Sequence, residues 1–314
     1  MDSLIFSLEA TIPIFIVIIL GYVLMRVGFF TKEFTRIADK YVYKIGLPVL
    51  LFKQIGTADI RSEFDIKFVL YCMLATTAIF LIMWIFATFA LKDKSMRGAF
   101  VQASSRGSTA ILGIAFIENI YGSSGMGPLM LASAVPLYNV YSVIVLTFNS
   151  KDRESGKGAV KKALINVAKN PIIIGILLGL LWAATGLKMP TIPDKAISSI
   201  AQTATPIALL VVGAGFEGKQ ALAKIKPTCI ATLFKLIIVP GIFLPIAIAM
   251  GFRNEALVAI IIMLAAPTTV TSYIMAKNMG NDEVLSLSVI VMSTFLSPLT
   301  LTGWIFITRY MGWI

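Results

Sequence analysis

Leu264-Ala265-Ala266-Pro267-Thr268-Thr269-Val270-Thr271-Ser272 sets a helix breaker and four hydroxyls in the middle of an otherwise apolar segment. Proline lacks a backbone donor and frees a carbonyl, so a helix crossing lipid here must kink or break. Irregular backbone at that depth is tolerated only where protein or a water-filled cavity receives it. A counterpart lies 158 residues earlier. There Gln102-Ala103-Ser104-Ser105-Arg106-Gly107-Ser108-Thr109-Ala110-Ile111-Leu112-Gly113 is similarly polar, with two glycines and a charge, and Thr109 falls on Pro267. The offset extends beyond this pair: Pro13 meets Pro171, Gly21 meets Gly179, Gly28 meets Gly186, Pro48 meets Pro206, Gly122 meets Gly280, and Asp59 meets Glu217. The chain reads as an apolar unit repeated twice with interruptions at matched positions, the pattern of folds whose central site is built from discontinuous helices.

Composition agrees. Of 314 residues, 58% are hydrophobic and 14% charged, and the mean hydropathy is +0.88; a soluble domain would carry about 25% charged residues. The chain is therefore an all-α polytopic membrane protein. It contains no histidine, which excludes His-dependent metal sites and catalytic triads, and no cofactor or metal is expected. Cys72 and Cys229 lie in or beside apolar runs and read as buried free thiols. The net charge of +11 sits in short segments between apolar runs, with no basic face carrying interleaved aromatics, so nucleic acid is not an expected partner.

Apolar stretches long enough to cross lipid predict ten transmembrane helices: 9–27, 41–55, 68–91, 98–120 and 126–148, then 171–187, 197–216, 228–250, 256–277 and 284–308. The first lacks a basic leader and a cleavage site and reads as a retained span. Lys and Arg in alternate connections number 18 on one side and six on the other. By the positive-inside rule both termini lie on the non-cytoplasmic side of a cell membrane crossed many times. Five spans per copy is an odd number, so the copies enter the membrane from opposite faces. The expected organisation is a first five-helix repeat over 1–148, a cytoplasmic linker over 149–170 with a short surface helix carrying Val160, Leu164 and Val167 on one face, and an inverted second repeat over 171–314.

Arg106 lies about eight residues, roughly 12 Å, into the fourth span. A cation there is costly unless it faces water, a partner or a ligand. It could attract an anionic substrate and hold a carboxylate with its fork, snorkel to the interface, or pair with helix C-terminal carbonyls. Lys235, at similar depth in the eighth span, could attract an anion or snorkel; Lys53, near the outer end of its span, is placed to snorkel. No Asp or Glu falls mid-span, which argues against a cation antiporter and for an anion. Kinked structural helices with hydroxyls bonded back to their own backbone would explain each break singly, but not why the breaks match. Gly175, Gly179 and Ala183 in the sixth span suit a homodimer interface or packing within the bundle equally.

The ten-span order, Lys44-Ile45-Gly46-Leu47-Pro48, Gly113 and Tyr121-Gly122, Ala266-Pro267-Thr268, and Lys277-Asn278-Met279-Gly280-Asn281-Asp282 together resemble the auxin efflux carrier family, whose prokaryotic members are associated with malonate, malate and similar organic acids. The resemblance covers nearly the whole chain. It implies a scaffold of spans one, two, six and seven, and a transport unit of spans three to five and eight to ten. The fourth and ninth helices would cross at the substrate site and move elevator-fashion, with Asn139 and Pro267 helping to form that site. Ser108 stands where relatives often have Asn and Ala115 where many have Pro, so the first break would depend on Gly107 and Gly113.

The expected activity is carriage of a small organic anion, a carboxylate or dicarboxylate, by secondary-active transport or uniport, with proton or sodium coupling left open. Arg106 would attract charge, and Ser108, Thr109, Asn139, Thr268, Thr269 and Thr271 would supply hydrogen bonds, beside Gly113 and Pro267 at the breaks. The competing readings are a sodium- or proton-coupled carrier of a neutral or steroid-like solute, and an intramembrane enzyme or receptor. The last is disfavoured by the missing nucleophile motif and acids.

Overall fold

The computed structural model describes residues 2–57, 65–109, 117, 125–151 and 159–314, and all regular structure among them is helical. In order come α1 (Asp2–Arg26), α2 (Lys32–Tyr41), α3 (Leu47–Gly56), α4 (Ile66–Ala90), α5 (Lys94–Ser105), α6 (Gly127–Asn149), α7 (Ala159–Ala168) and α8 (Pro171–Thr185). They are followed by α9 (Thr191–Ala214), α10 (Gly218–Ala223), α11 (Ile225–Leu233), α12 (Val239–Ala249), α13 (Asn254–Ala265), α14 (Thr271–Asn278) and α15 (Glu283–Tyr310). Five helices are long and apolar enough to cross a membrane: α4, α6, α9, the run Ile225–Ala249, and α15. Their outward faces carry large exposed side chains such as Leu74, Phe89, Phe295 and Phe306, which only lipid can cover favourably.

Two helices bend without stopping. α2 passes into α3 through a π-turn over Val42–Gly46, and α11 into α12 through another over Phe234–Ile238. Pro48 and Pro240 explain both. Each sits just past the turn and has no N–H for the carbonyl four residues back, so the ladder widens by one residue ahead of it. Polar residues set where other elements begin: Asp65 accepts from the Lys67 and Phe68 N–H groups, Asn170 from Ile172, and Asp282 from Leu285. The linker helix expected between the halves is α7, with Val160 and Leu164 exposed.

Glycines set the closest contacts. A Cβ on Gly21 would stand 2.2 Å from the Leu210 carbonyl oxygen, and one on Gly213 1.9 Å from that of Ile18, which holds α1 hard against α9. α3 meets α8 in the same way, through Gly175 against Pro48 and Gly179 against Phe52. These contacts follow the sequence offset. Gly21 corresponds to Gly179 and Leu210 to Phe52, so Gly21 with Leu210 and Gly179 with Phe52 are one contact made twice. Gly46 touches Ala204, its own counterpart, with the two Cβ positions 3.1 Å apart. The small residues of the sixth span that also suited a dimer face thus include two, Gly175 and Gly179, that pack inside the chain.

Two buried clusters form the core. One runs through α4, α5, α6, the Ile225–Ala249 run, α13 and α15, with Phe68, Phe100, Met130, Leu257 and Ile261 inside it. The other joins α1, α3, α8 and α9 through Ile18, Leu47, Leu51, Ile176 and Val212, and takes in α6 through Val143 and Leu146, α14 through Ile274 and Met275, and α15 through Leu287 and Ile290. One expectation needs correction. Cys72 is buried but Cys229 is exposed, because it lies on the outer side of α11. Lys53, in the last turn of α3, reaches Asp194 in the first turn of α9 and pairs with it.

Candidate functional site

The ninth span breaks where its sequence requires. Ala266, the residue before proline, has φ −59° and ψ 144°, the extended backbone that Pro267 imposes on its predecessor. α13 ends there, and α14 begins at Thr271. The carbonyls left open are taken by side chains from other helices. Met263, which would bond the N–H that Pro267 lacks, accepts from the Tyr138 hydroxyl at 3.0 Å, and Leu264 accepts from Lys235 Nζ at 2.7 Å. The Thr268 N–H turns to Ser293 Oγ at 3.2 Å.

The fourth span breaks without a proline. α5 stops at Ser105, Arg106 is extended at φ −93° and ψ 146°, and Gly107 and Ser108 continue outside any helix. Gly107 runs so close to Ala266 that a Cβ would stand 3.2 Å from its carbonyl oxygen. The two breaks are joined directly: the Ser108 N–H donates to the Pro267 carbonyl at 2.7 Å, and Gln102 Nε2 to the Ser272 carbonyl at 2.9 Å. The interrupted segments therefore meet at their breaks, the donors of one filling carbonyls that the other leaves open.

Beside the crossing lies a cavity of about 70 Å³. Arg106, Gly107, Ser108, Thr109, Val135, Tyr138, Asn139, Thr269 and Thr271 line one side, and Leu47, Leu50, Leu51, Gln54 and Thr205 the other. Arg106 is 5% exposed. Its guanidinium donates to Asn139 Oδ1 at 3.2 Å and to Met275 Sδ at 3.1 Å, while Nε has no partner among the described residues. Asn139 is fixed by Nδ2 donating to the Val135 carbonyl at 2.9 Å. Among the described residues no carboxylate lies within salt-bridge distance of Arg106, so a fork that could hold a carboxylate in two bonds is engaged by neutral acceptors only. It has not snorkelled.

Of the residues singled out from sequence, Arg106, Ser108, Thr109, Asn139, Thr269 and Thr271 share this cavity. Pro267 lies at the crossing through its carbonyl, whereas Thr268 is 2% exposed and turned toward Ser272 Oγ, away from the cavity. Gly113 lies outside the described residues. Sequence reasoning missed Gln54 and Thr205. Their signal was a polar side chain inside an apolar run, obscured by Lys44, Pro48 and Lys53 in one span and by a generally mixed composition in the other. Lys235, for which sequence offered snorkelling or anion attraction, is fully buried against α13.

Among the described residues two carboxylates outside the expected spans are buried, Asp282, which pairs with Lys224, and Asp39. Asp39 of α2 precedes the expected span 41–55, is 4% exposed and accepts from Asn278 Nδ2 at 3.0 Å, with Lys277 nearby. Burial pushes its carboxyl up to about 6, against the opposing pull of Lys277 and the Asn278 hydrogen bond; Glu283 adds a smaller upward push. The folded chain therefore keeps a proton that the unfolded chain releases between about pH 4 and pH 6, so the stability Asp39 contributes is highest below about pH 4 and is lost as pH rises through about 6. Asp39→Asn should flatten the pH dependence of the melting temperature across that window and raise it at pH 7; an unchanged slope would show that Asp39 titrates normally.

A bundle of membrane-length apolar helices with two interrupted segments meeting at a polar cavity suits a carrier, and the family and relatives of the chain make it a membrane transporter, not an enzyme. The chain belongs to the family described as Membrane transport protein, that of the auxin efflux carriers which its motifs resemble; the match runs over residues 6–305. It is similar to the uncharacterized transporter YfdV of Escherichia coli strain K12, at 25% identity over 98% of this chain and 99% of that one. An uncharacterized transporter of Methanocaldococcus jannaschii is 20% identical over 95% of this chain and 98% of its own. A Rhizobium meliloti protein bearing the name "Putative malonate transporter" is 23% identical over 95% and 94%.

Proposed function

We propose that this chain carries a small organic anion, a carboxylate or dicarboxylate, across a cell membrane, binding it at the crossing of the two interrupted helices. One observation carries the reading: a buried arginine faces a cavity lined by hydroxyls and an amide, with no acid within salt-bridge distance among the described residues. Such a guanidinium costs free energy in the empty protein and regains it when a carboxylate arrives. The name of the Rhizobium meliloti relative points to the same ligand class.

The mechanism is alternating access by two inverted five-helix repeats. It is supported by contacts that recur at the 158-residue offset and by Gly46 meeting its own counterpart, as residues near a two-fold axis do. In the division into a scaffold of spans one, two, six and seven and a transport unit of the other six, the close glycine contacts of α1 with α9 and of α3 with α8 hold the scaffold together, while one buried cluster lies wholly within the other six spans. The cavity lies between them, so sliding one unit past the other would carry the bound anion along. Excess Lys and Arg in alternate connections favours termini on the non-cytoplasmic side.

Uptake of labelled short mono- and dicarboxylates, malonate among them, into liposomes holding the purified chain tests this. Saturable uptake of at least one is expected, and absence of uptake across the set overturns the reading. On the scaffold side, Gln54→Leu and Thr205→Val each remove one neutral hydrogen-bonding group, worth about 0.5–1.5 kcal/mol, and should raise KM by roughly 2- to 13-fold with the maximal rate little changed. An unchanged KM for both would place the anion elsewhere.

A further inference from the structure

Lys235 lies in the π-turn between α11 and α12, and its side chain is fully buried. Nζ donates to the Leu264 carbonyl at 2.7 Å and stands 3.2 Å from the place a Cβ on Gly107 would occupy, next to the Ala266 carbonyl oxygen. Among the described residues no carboxylate lies within salt-bridge distance. An ammonium this deep without an acid is expensive unless oriented dipoles replace its water. Here they do. Leu264 belongs to the last turn of α13, where carbonyls unclaimed by the helix carry the negative end of its dipole.

Carbonyls at half-helix C-termini and in unwound backbone are the groups with which carriers of this architecture hold coupling cations. Where the two breaks meet, one such group, the Leu264 carbonyl, is already engaged by a cation on a covalent tether. Gly107 also lines the cavity beside Arg106, so the ammonium stands directly behind the cavity wall and adds fixed positive charge to it. The π-turn has a part in this: one extra residue in the turn changes the direction in which the following side chains point, and Lys235 is its second residue.

We propose that the Lys235 ammonium is a resident cation that takes the place of a coupling metal ion at the crossing, so that the carrier binds and moves its anion without sodium. This rests on the reading of the chain as an organic-anion carrier, and the test separates the two. In its first arm no transported solute is needed. Melting of the purified full-length chain is compared in sodium, potassium and choline chloride at equal ionic strength. The wild type should melt at the same temperature in all three, whereas Lys235→Ala, which frees the Leu264 carbonyl, should melt lower in choline and be raised saturably by sodium. Lys235→Ser is read in the same way should the alanine variant not fold. Saturable, sodium-selective stabilisation of the wild type, or none in either variant, overturns the proposal.

In the second arm, carboxylate uptake into liposomes is compared with inward sodium and choline gradients. A ratio near one is expected for the wild type and roughly fivefold or more for Lys235→Ala, a sodium dependence created by removing a charge. A wild-type ratio of that size overturns the proposal. If no carboxylate moves at all, the anion-carrier reading falls, while the melting arm still decides whether a metal ion can take the place of the ammonium at the Leu264 carbonyl.

Discussion

Arg106→Ala is expected to lower carboxylate uptake by roughly 100-fold while the protein stays folded. A desolvated guanidinium–carboxylate pair made through two charge-assisted bonds is lost in full, and each such bond contributes about 1.5–3 kcal/mol. The fold should tolerate the change. Among the described residues Arg106 is held by Asn139 Oδ1 and Met275 Sδ, so no buried acid is stranded among them, and Asn139 keeps its bond to Val135. Removing a buried charge with neutral partners should leave the melting temperature unchanged or higher. Arg106→Lys keeps the charge without the planar fork, and about a tenfold loss is expected. Asn139→Asp is the sharper variant: it would set a carboxylate against the guanidinium 3.2 Å away and occupy the fork from within, so KM should rise as steeply as in Arg106→Ala. Initial rates against concentration in liposomes, paired with melting curves, measure these effects. Arg106→Ala within threefold of the wild type would remove Arg106 from substrate recognition.

The sequence legibly signals the crossing because its causes are local. Pro267 dictates its own break and the extended backbone of Ala266, and Ser104 to Ser108 interrupts an apolar run with polar groups and a glycine that no lipid-facing helix would keep. The 158-residue offset likewise draws on local requirements, and Gly28, Gly186 and Gly280 all stand at positive φ. Gly21 and Gly179 keep that identity because backbone from another helix lies where a Cβ would be. Groups whose roles depend on a distant partner were not legible. The burial of Asp39 follows from Asn278, 239 residues away, and the environment of Lys235 from Leu264, 29 residues on. Gln54 and Thr205 belong to the site because of the face their helices turn to α5 and α14. The π-turns ahead of Pro48 and Pro240 were not read from the sequence, although each proline, lacking an N–H for the carbonyl four residues back, is their local cause.

Gly213→Ala should be the most damaging single methyl in the molecule. Its Cβ would stand 1.9 Å from the Ile18 carbonyl oxygen and 2.9 Å from the Tyr22 backbone nitrogen, and backbone inside a helix cannot rotate away as a side chain can. α1 and α9 must separate by more than an ångström, and the interlocking contact of Gly21 with Leu210 on the same seam opens with them. Overpacking of a filled interior costs about 1–3 kcal/mol, occasionally more, and a backbone clash along a whole helix pair belongs at the upper end. Gly21→Ala, at 2.2 Å from the Leu210 carbonyl, should behave alike, whereas Gly179→Ala, at 3.1 Å from that of Phe52, should cost less. Because one separation relieves both α1–α9 clashes, the double variant Gly21→Ala/Gly213→Ala should lose less than the two singles together. Gly303→Ala in α15, with nothing within 4 Å of the new methyl, should be neutral or slightly stabilising, by up to about 1 kcal/mol, as alanine is favoured over glycine inside a helix. Melting of each purified variant in one detergent gives the order, and Gly213→Ala melting with Gly303→Ala would show that α1 and α9 do not meet at this seam.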